Sequence, residues 1–199
     1  MAGRDARVQL VICRHTQTDD NAQRRYTGQN DVSLNATGVE QAEQLAQKIA
    51  ASFHVQSVLS SDLIRTQVLA RKISETCSSV PPVEFTPGLR EADVGRMANL
   101  TKADALIQFP DSQYRSRNPF YDYRGIGGEY ADDVASRCIR AIDEEVFRVT
   151  RLYEHELVTL VIVGHGTALR TVFVDRLRLF RKLHEQGDFQ VCDWFISQL

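Results

Sequence analysis

The sequence has no long apolar run, no paired cysteines and no surplus of either charge. No stretch of about 18 apolar residues occurs, so no membrane-spanning helix is expected. Lys and Arg number 24 against 26 Asp and Glu, a formal net charge of −2. That balance gives no broad positive field, so neither nucleic acid nor an anionic membrane is an expected partner. Any anion must be held by a local cluster. Cys13, Cys77, Cys138 and Cys192 are scattered without Cys-x-x-Cys spacing. Reduced thiols are expected there, not disulfides or metal ligands. The histidines show neither His-x-His nor His-Glu-x-x-His spacing, so no metal and no other cofactor is expected. The opening residues, MAGRDARVQLVICRH, are too polar for a secretory leader, which makes the cytoplasm the default location.

What is present is an alternation of strand-like and helix-like segments over 199 residues, enough for one domain spanning 1–199 with a real core. Val8–Ile12, Val55–Leu59, Val83–Phe85 and Leu157–Val163 read as strands, and Phe189–Ile196 is a candidate last one. A helix is expected over 35–51, where Thr37 and Glu40 have capping-box spacing and Val39, Ala42, Leu45 and Ile49 share a face. Another follows Asp62, a candidate N-cap. Further helices are expected at 101–109, with Thr101 and Asp104 as a cap pair, at 129–153 and at 167–179. Residues 110–128 read as a long surface segment with irregular turns. Strands alternating with helices predict an α/β fold with a mostly parallel sheet.

Two strand ends carry the same feature. VQLVIC stops at Arg14-His15, and LVTLVIV stops at Gly164-His165-Gly166-Thr167. In open α/β sheets, ligands bind beyond the carboxyl ends of the strands, so the two histidines meet if their strands are neighbours. A single histidine there is ordinarily a turn cap or a hydrogen-bonded residue at the core edge. Two at matching junctions favour a site. His54, His155 and His184 have no such setting and are given no role. Arg65 lies in the first turns of the helix after the second strand, where a cation opposes the helix dipole and is expected to seek an anion. Glu91, in GLREADVG, reads by itself as a surface charge.

Several motifs stand in one order along the chain. They are Arg14-His15-Thr16-Gln17-Thr18-Asp19-Asp20-Asn21, YTGQNDVSLNATG over 26–38, and Ser60-Ser61-Asp62-Leu63-Ile64-Arg65. Leu89-Arg90-Glu91 with Gly95, Leu100-Thr101, Gly127-Gly128-Glu129 and Gly164-His165-Gly166 follow. Together they resemble the histidine phosphatase superfamily, also called phosphoglycerate mutase-like, in its phosphatase branch. The resemblance implies a three-layer α/β/α sandwich around a mostly parallel sheet, with a lid-like insertion near 101–130. It also implies roles. His15 is the nucleophile, Arg14, Arg65 and Asn21 bind phosphoryl oxygens, and His165 completes the anion pocket. Glu91 is the general acid and later the base. Thr27, Gly28, Gly166 and Thr167 are substrate contacts.

Such a set needs no metal. Neutral imidazole is nucleophilic near neutral pH, and guanidinium binds two phosphate oxygens at once. The expected function is hydrolysis of small-molecule phosphomonoesters through a phosphohistidine on His15. The rings and arginines of 109–129 suit a nucleotide or sugar phosphate, unless the rings only cover the core edge. Phosphoglycerate mutase-type transfer and a catalytically weakened phosphate-binding protein are the alternatives. Three departures from the family pattern bear on this choice. Thr16 and Thr167 stand where glycine is usual, and Met97-Ala98-Asn99 stands where Trp-Glu-Gly is common. Each threonine hydroxyl is a candidate to enter or hydrogen-bond the pocket.

Overall fold

RVQLVICR and LVTLVIVG form the paired centre of a parallel sheet. The computed structural model describes residues 7–153, 157–175 and 190–191. Strand β1 (Arg7–Arg14) runs parallel to β4 (Leu157–Gly164), in register from Arg7 opposite Leu157 to Arg14 opposite Gly164. Strand β2 (Ser57–Ser61) pairs with the other side of β4, and β3 (Val83–Thr86) lies outside β2. Strand β5 (Gln190–Val191) pairs with β1, so the order is β3-β2-β4-β1-β5 with every pair parallel.

Parallel strands covered on both faces need apolar residues at consecutive positions, not in alternation. Strand β4 shows this directly. Val158, Leu160 and Ile162 join a core with Val134, Cys138, Ile142 and Val149 of α5 (Ala131–Leu152). Val161 and Val163 join a second core with Ala42, Ala46 and Ile49 of α2 (Ala36–Ser52) and Leu69, Ala70 and Ile73 of α3 (Ile64–Thr76). One sheet between two helical layers is the expected α/β/α sandwich.

The shorter helices are α1 (Asp19–Ala22), α4 (Lys102–Gln108) and α6 (Gly166–Arg170). Ala168 and Leu169 of α6 pack in the α5 layer, whereas α2 lies in the opposite one. Adjacent strands β1 and β4 therefore send the chain to opposite faces, and a crevice opens between their carboxyl ends. Among the described residues, no helix is long and apolar enough to cross a membrane.

Local details differ from the sequence reading. The N-cap of α2 is Asn35, whose side chain accepts from the Gly38 amide at 2.9 Å, so the cap lies two residues before Thr37. Asp62 caps nothing. Its carboxylate is held by Arg90 Nε at 2.7 Å and Nη2 at 2.6 Å, and α3 begins after Leu63 with Ile64 N donating to Asp31 Oδ1 at 2.7 Å. Thr101 does cap α4 through the Asp104 amide at 3.1 Å. Past α6 the chain forms a π-helical turn over Thr171–Asp175, so the expected 167–179 helix is irregular where it is described. Its remainder, most of Phe189–Ile196, His155 and His184 lie outside the described residues. Residues 110–128 hold two short 3₁₀ turns. Tyr121 and Tyr123 stack at 5.0 Å between centroids and are fully buried, so these rings belong to the core edge.

Candidate active site

The register of β1 and β4 sets the geometry. Arg14 lies opposite Gly164, and the next amide, His15 N, donates to Gly164 O at 3.0 Å. The following residues on the two strands are thus His15 and His165, and their rings meet with centroids 5.3 Å apart at 56°. Both are buried, at 8% and 0% exposure.

His15 is held at one nitrogen. Its Nδ1 lies 2.7 Å from Thr16 O. A carbonyl can only accept, so Nδ1 carries the proton and Nε2 carries the lone pair of the neutral ring. Burial keeps the ring's pKa well below the usual histidine value. The Arg14 and Arg65 charges lower it further, against an opposing effect of the Thr16 bond. Burial likewise holds His165 low, reinforced by His15, Arg65 and Arg14. The free site therefore holds two neutral imidazoles.

The loop under His15 is clamped by the start of α2. Thr16 Oγ1 donates to Gly38 O at 2.6 Å, so this hydroxyl points to a helix backbone and not into the crevice. Asn35 N donates to Gln17 O at 3.2 Å, and Asn35 Nδ2 reaches Gln17 Oε1 at 3.1 Å. A Cβ on Gly38 would fall on the Gln17 carbonyl, so only glycine permits this approach. Asn21 closes a capping box on α1, with its Oδ1 accepting from Thr18 N at 3.3 Å, which leaves its NH2 group uncommitted to that cap. Thr27 Oγ1 donates to Asp20 Oδ2 at 2.9 Å.

Arg65, 1% exposed, spans the second wall. Its Nη1 and Nη2 donate to Asn30 O at 2.6 Å and Gly28 O at 2.8 Å. Gly28 takes φ +55°, which glycine adopts without strain and which turns the chain beneath the guanidinium. Arg14 packs over Gly166, where a Cβ would sit 3.3 Å from the guanidinium carbon and Nε. Glu91 reaches in from the loop after β3. Its Oε1 accepts from Ala92 N and Ala168 N, each at 2.9 Å, and its Oε2 from Thr167 N at 3.1 Å. The Thr167 amide is thus engaged by Glu91.

Among the described residues, four buried side-chain nitrogens have no hydrogen-bond partner: Arg14 Nε, Arg65 Nε, and both ring nitrogens of His165. Buried polar groups are ordinarily paired. Two guanidinium donors and an imidazole left open beside a neutral His15 are the donor types that an anion takes. Among the described residues, no three His, Cys, Asp or Glu side chains cluster as a metal site. Exposed His54 lies outside this set, and the side chains of Asn21 and Thr27 bond to Thr18 and Asp20 rather than to the two histidines.

The model of the histidine phosphatase superfamily, branch 1, matches residues 10–196. The chain belongs to this superfamily. It is 30% identical over 167 residues to a broad-specificity phosphatase of Saccharomyces cerevisiae, covering 83% of this chain and 68% of the yeast protein. It is also 30% identical over 195 residues to a protein of Salmonella paratyphi A named as a probable phosphoglycerate mutase, covering 96% and 89%. The structure of a mycobacterial glucosyl-3-phosphoglycerate phosphatase superposes with a TM-score of 0.71 at 29% identity, over 85% of this chain and 82% of that one.

Two departures from the superfamily pattern now have structural accounts. Thr16 uses its hydroxyl as a strut to α2. Asn99, at a position where the superfamily often has glycine, takes φ +68°, a left-handed conformation that asparagine tolerates better than most residues. Arg137 was not singled out by the sequence reading. It donates to the carbonyls of Gly88, Arg90 and Glu91 at 2.9, 2.7 and 3.0 Å. The available signal was a guanidinium between Val134 and Cys138, on the flank of the buried face of α5.

Proposed function

We propose that this protein is a metal-independent phosphatase that hydrolyses small-molecule phosphomonoesters through a phosphohistidine on His15. The observation that carries this reading is the set of unpartnered nitrogens of Arg14, Arg65 and His165 around a neutral His15 whose Nδ1 is tied to a carbonyl. Phosphatase relatives in yeast and mycobacteria support the reaction class.

The phosphoryl group enters with its oxygens toward Arg14, Arg65 and His165, with the Asn21 amide as a further donor. Guanidinium forks and one imidazole N–H stabilise charge on the equatorial oxygens. His15 Nε2 forms a bond to phosphorus as the ester P–O bond breaks. Glu91 takes the proton that the phosphomonoester monoanion carries in and passes it to the leaving oxygen. Water then loses its proton to Glu91 and attacks phosphorus, the P–N bond breaks, and inorganic phosphate leaves with His15 restored. Gly28 and Gly166 bring backbone close to the substrate, and the segment near 101–130 covers it as a lid. The substrate class is a small phosphorylated metabolite, such as a nucleotide or sugar phosphate.

The Salmonella relative favours a second reading, transfer between phosphoglycerate positions from a bisphosphorylated primer. One experiment addresses both. Phosphate release is measured from a panel of phosphomonoesters, with chelator, for wild type and His15→Ala. Isomer formation from 3-phosphoglycerate with primer is followed in parallel. The reading expects chelator-resistant phosphate release that His15→Ala abolishes. Isomerisation outpacing release would establish the mutase reading instead.

A further inference from the structure

The loop carrying Glu91 is gripped on both chain sides by one ion pair that never touches the Glu91 carboxylate. Arg137, from α5, donates Nη1 to Gly88 O and Arg90 O, and Nη2 to Glu91 O. Its Nε and Nη2 also bind Glu129 Oε1 at 2.8 Å and Oε2 at 2.9 Å, a bidentate fork. Glu129 Oε2 in turn accepts from Asp93 N at 2.9 Å, while Glu129 N donates to Asp93 O at 2.9 Å. Arg137 thus fixes the main chain up to Glu91, and Glu129 fixes it two residues beyond. Gln29 Nε2 also donates to Glu129 Oε2, at 3.4 Å.

The arrangement is more than packing needs. An arginine on the flank of an apolar helix face loses side-chain entropy and hydration, and three carbonyls from a single loop give it five donations with Glu129 included. Main-chain carbonyls 88, 90 and 91 can all point at one guanidinium only if the loop holds one conformation. That conformation is the one that places the Glu91 carboxylate on the Thr167 and Ala168 amides.

We propose that the Arg137–Glu129 pair is the positioning element for Glu91, setting the carboxyl where it exchanges its proton with the leaving group. The proposal rests on the reading of Glu91 as general acid and base. Arg137 acts through the loop backbone and has no contact with the phosphoryl group.

The test measures phosphoenzyme formation in single turnover with an alkyl phosphate, a poor leaving group, and with p-nitrophenyl phosphate, a good one. Wild type, Glu91→Gln, Arg137→Met, Arg137→Lys and the Glu91→Gln/Arg137→Met double variant are compared. Arg137→Met is expected to slow the alkyl ester about tenfold or more beyond its effect on the p-nitrophenyl ester, since a misplaced acid matters only where protonation is needed. Inhibition by inorganic phosphate stays near wild type. In the Glu91→Gln background, the Arg137 effect disappears. Arg137→Lys falls between, because the three donors of an ammonium cannot replace five donations from a planar fork, and it serves the same comparison if Arg137→Met does not fold. Selectivity in Glu91→Gln without selectivity in the Arg137 variants overturns the positioning role and leaves the acid role standing. No selectivity in Glu91→Gln itself removes the acid role, and the positioning proposal with it.

Discussion

His15 and His165 face each other at 5.3 Å because Arg14 and Gly164, the residues before them, are register partners on adjacent parallel strands. Slipping β1 by one residue against β4 would turn every side chain of the pair over and separate the rings. The site is therefore fixed by the same register that builds the two cores.

Arg65 offers one test of the anion set. Lysine in its place cannot donate to both Gly28 O and Asn30 O and still present a second donor to phosphate. Arg65→Lys is expected to weaken inhibition by inorganic phosphate at least about tenfold. It should also cost about 1–3 kcal/mol of stability through the carbonyl left unpaired. Inhibition constants and denaturant unfolding report the two effects separately.

Thr16 is expected to act on His15 orientation. Thr16→Val keeps the branched shape and loses the bond to Gly38 O. Stability should fall by about 1 kcal/mol, and kcat by more than 1/KM, as the Thr16 carbonyl that holds His15 Nδ1 is freed. Thr16→Ser, which keeps the hydroxyl, should recover most of both. Equal kcat for the valine and serine variants would remove the strut from the account.

Gly38→Ala puts a methyl group on the Gln17 carbonyl, backbone against backbone. Neither element can yield without moving the His15 loop. This variant should be among the most destabilising single-methyl additions in the chain, by roughly 1–3 kcal/mol on the scale of core overpacking. Thermal unfolding measures it.

Acid should destabilise the protein through buried His15 and His165. Their folded pKa values lie well below 6.5, whereas the unfolded chain binds protons at about 6.5. Below that pH the unfolded state holds more protons, so stability falls as pH drops, until the folded-state pKa is reached. Each histidine contributes up to about 1.4 kcal/mol per pH unit in that window. His165→Asn should therefore flatten the fall in unfolding free energy between pH 6.5 and 5 relative to wild type. An unchanged slope would mean that His165 is not held neutral.

Four strands, the parallel character of the sheet and the placement of two histidines at strand ends are legible because each rests on side-chain type: β-branched runs, turn residues, an imidazole at a junction. That the two histidine-bearing strands are neighbours is not written in either segment; the pairing of β1 with β4 decides it. What was not legible rests on backbone partners. Thr16 binds a carbonyl of Gly38, and Arg137 binds carbonyls of Gly88, Arg90 and Glu91. A carbonyl is present at every position and leaves no mark in a sequence. The cap assigned to Thr37 belongs to Asn35, since both have the needed side chain and only the approach of the Gln17 loop decides between them. Asp62 suits a cap locally, but the tertiary bond to Arg90 takes it.

The most direct measurement is to trap the phosphoenzyme. The protein is mixed with a phosphomonoester carrying labelled phosphorus, quenched in alkali and digested, and the labelled peptide is identified. The account predicts acid-labile, alkali-stable phosphate on His15, bonded at Nε2, and none in His15→Ala. Turnover with no phosphate on His15, or label on any other residue, would contradict it.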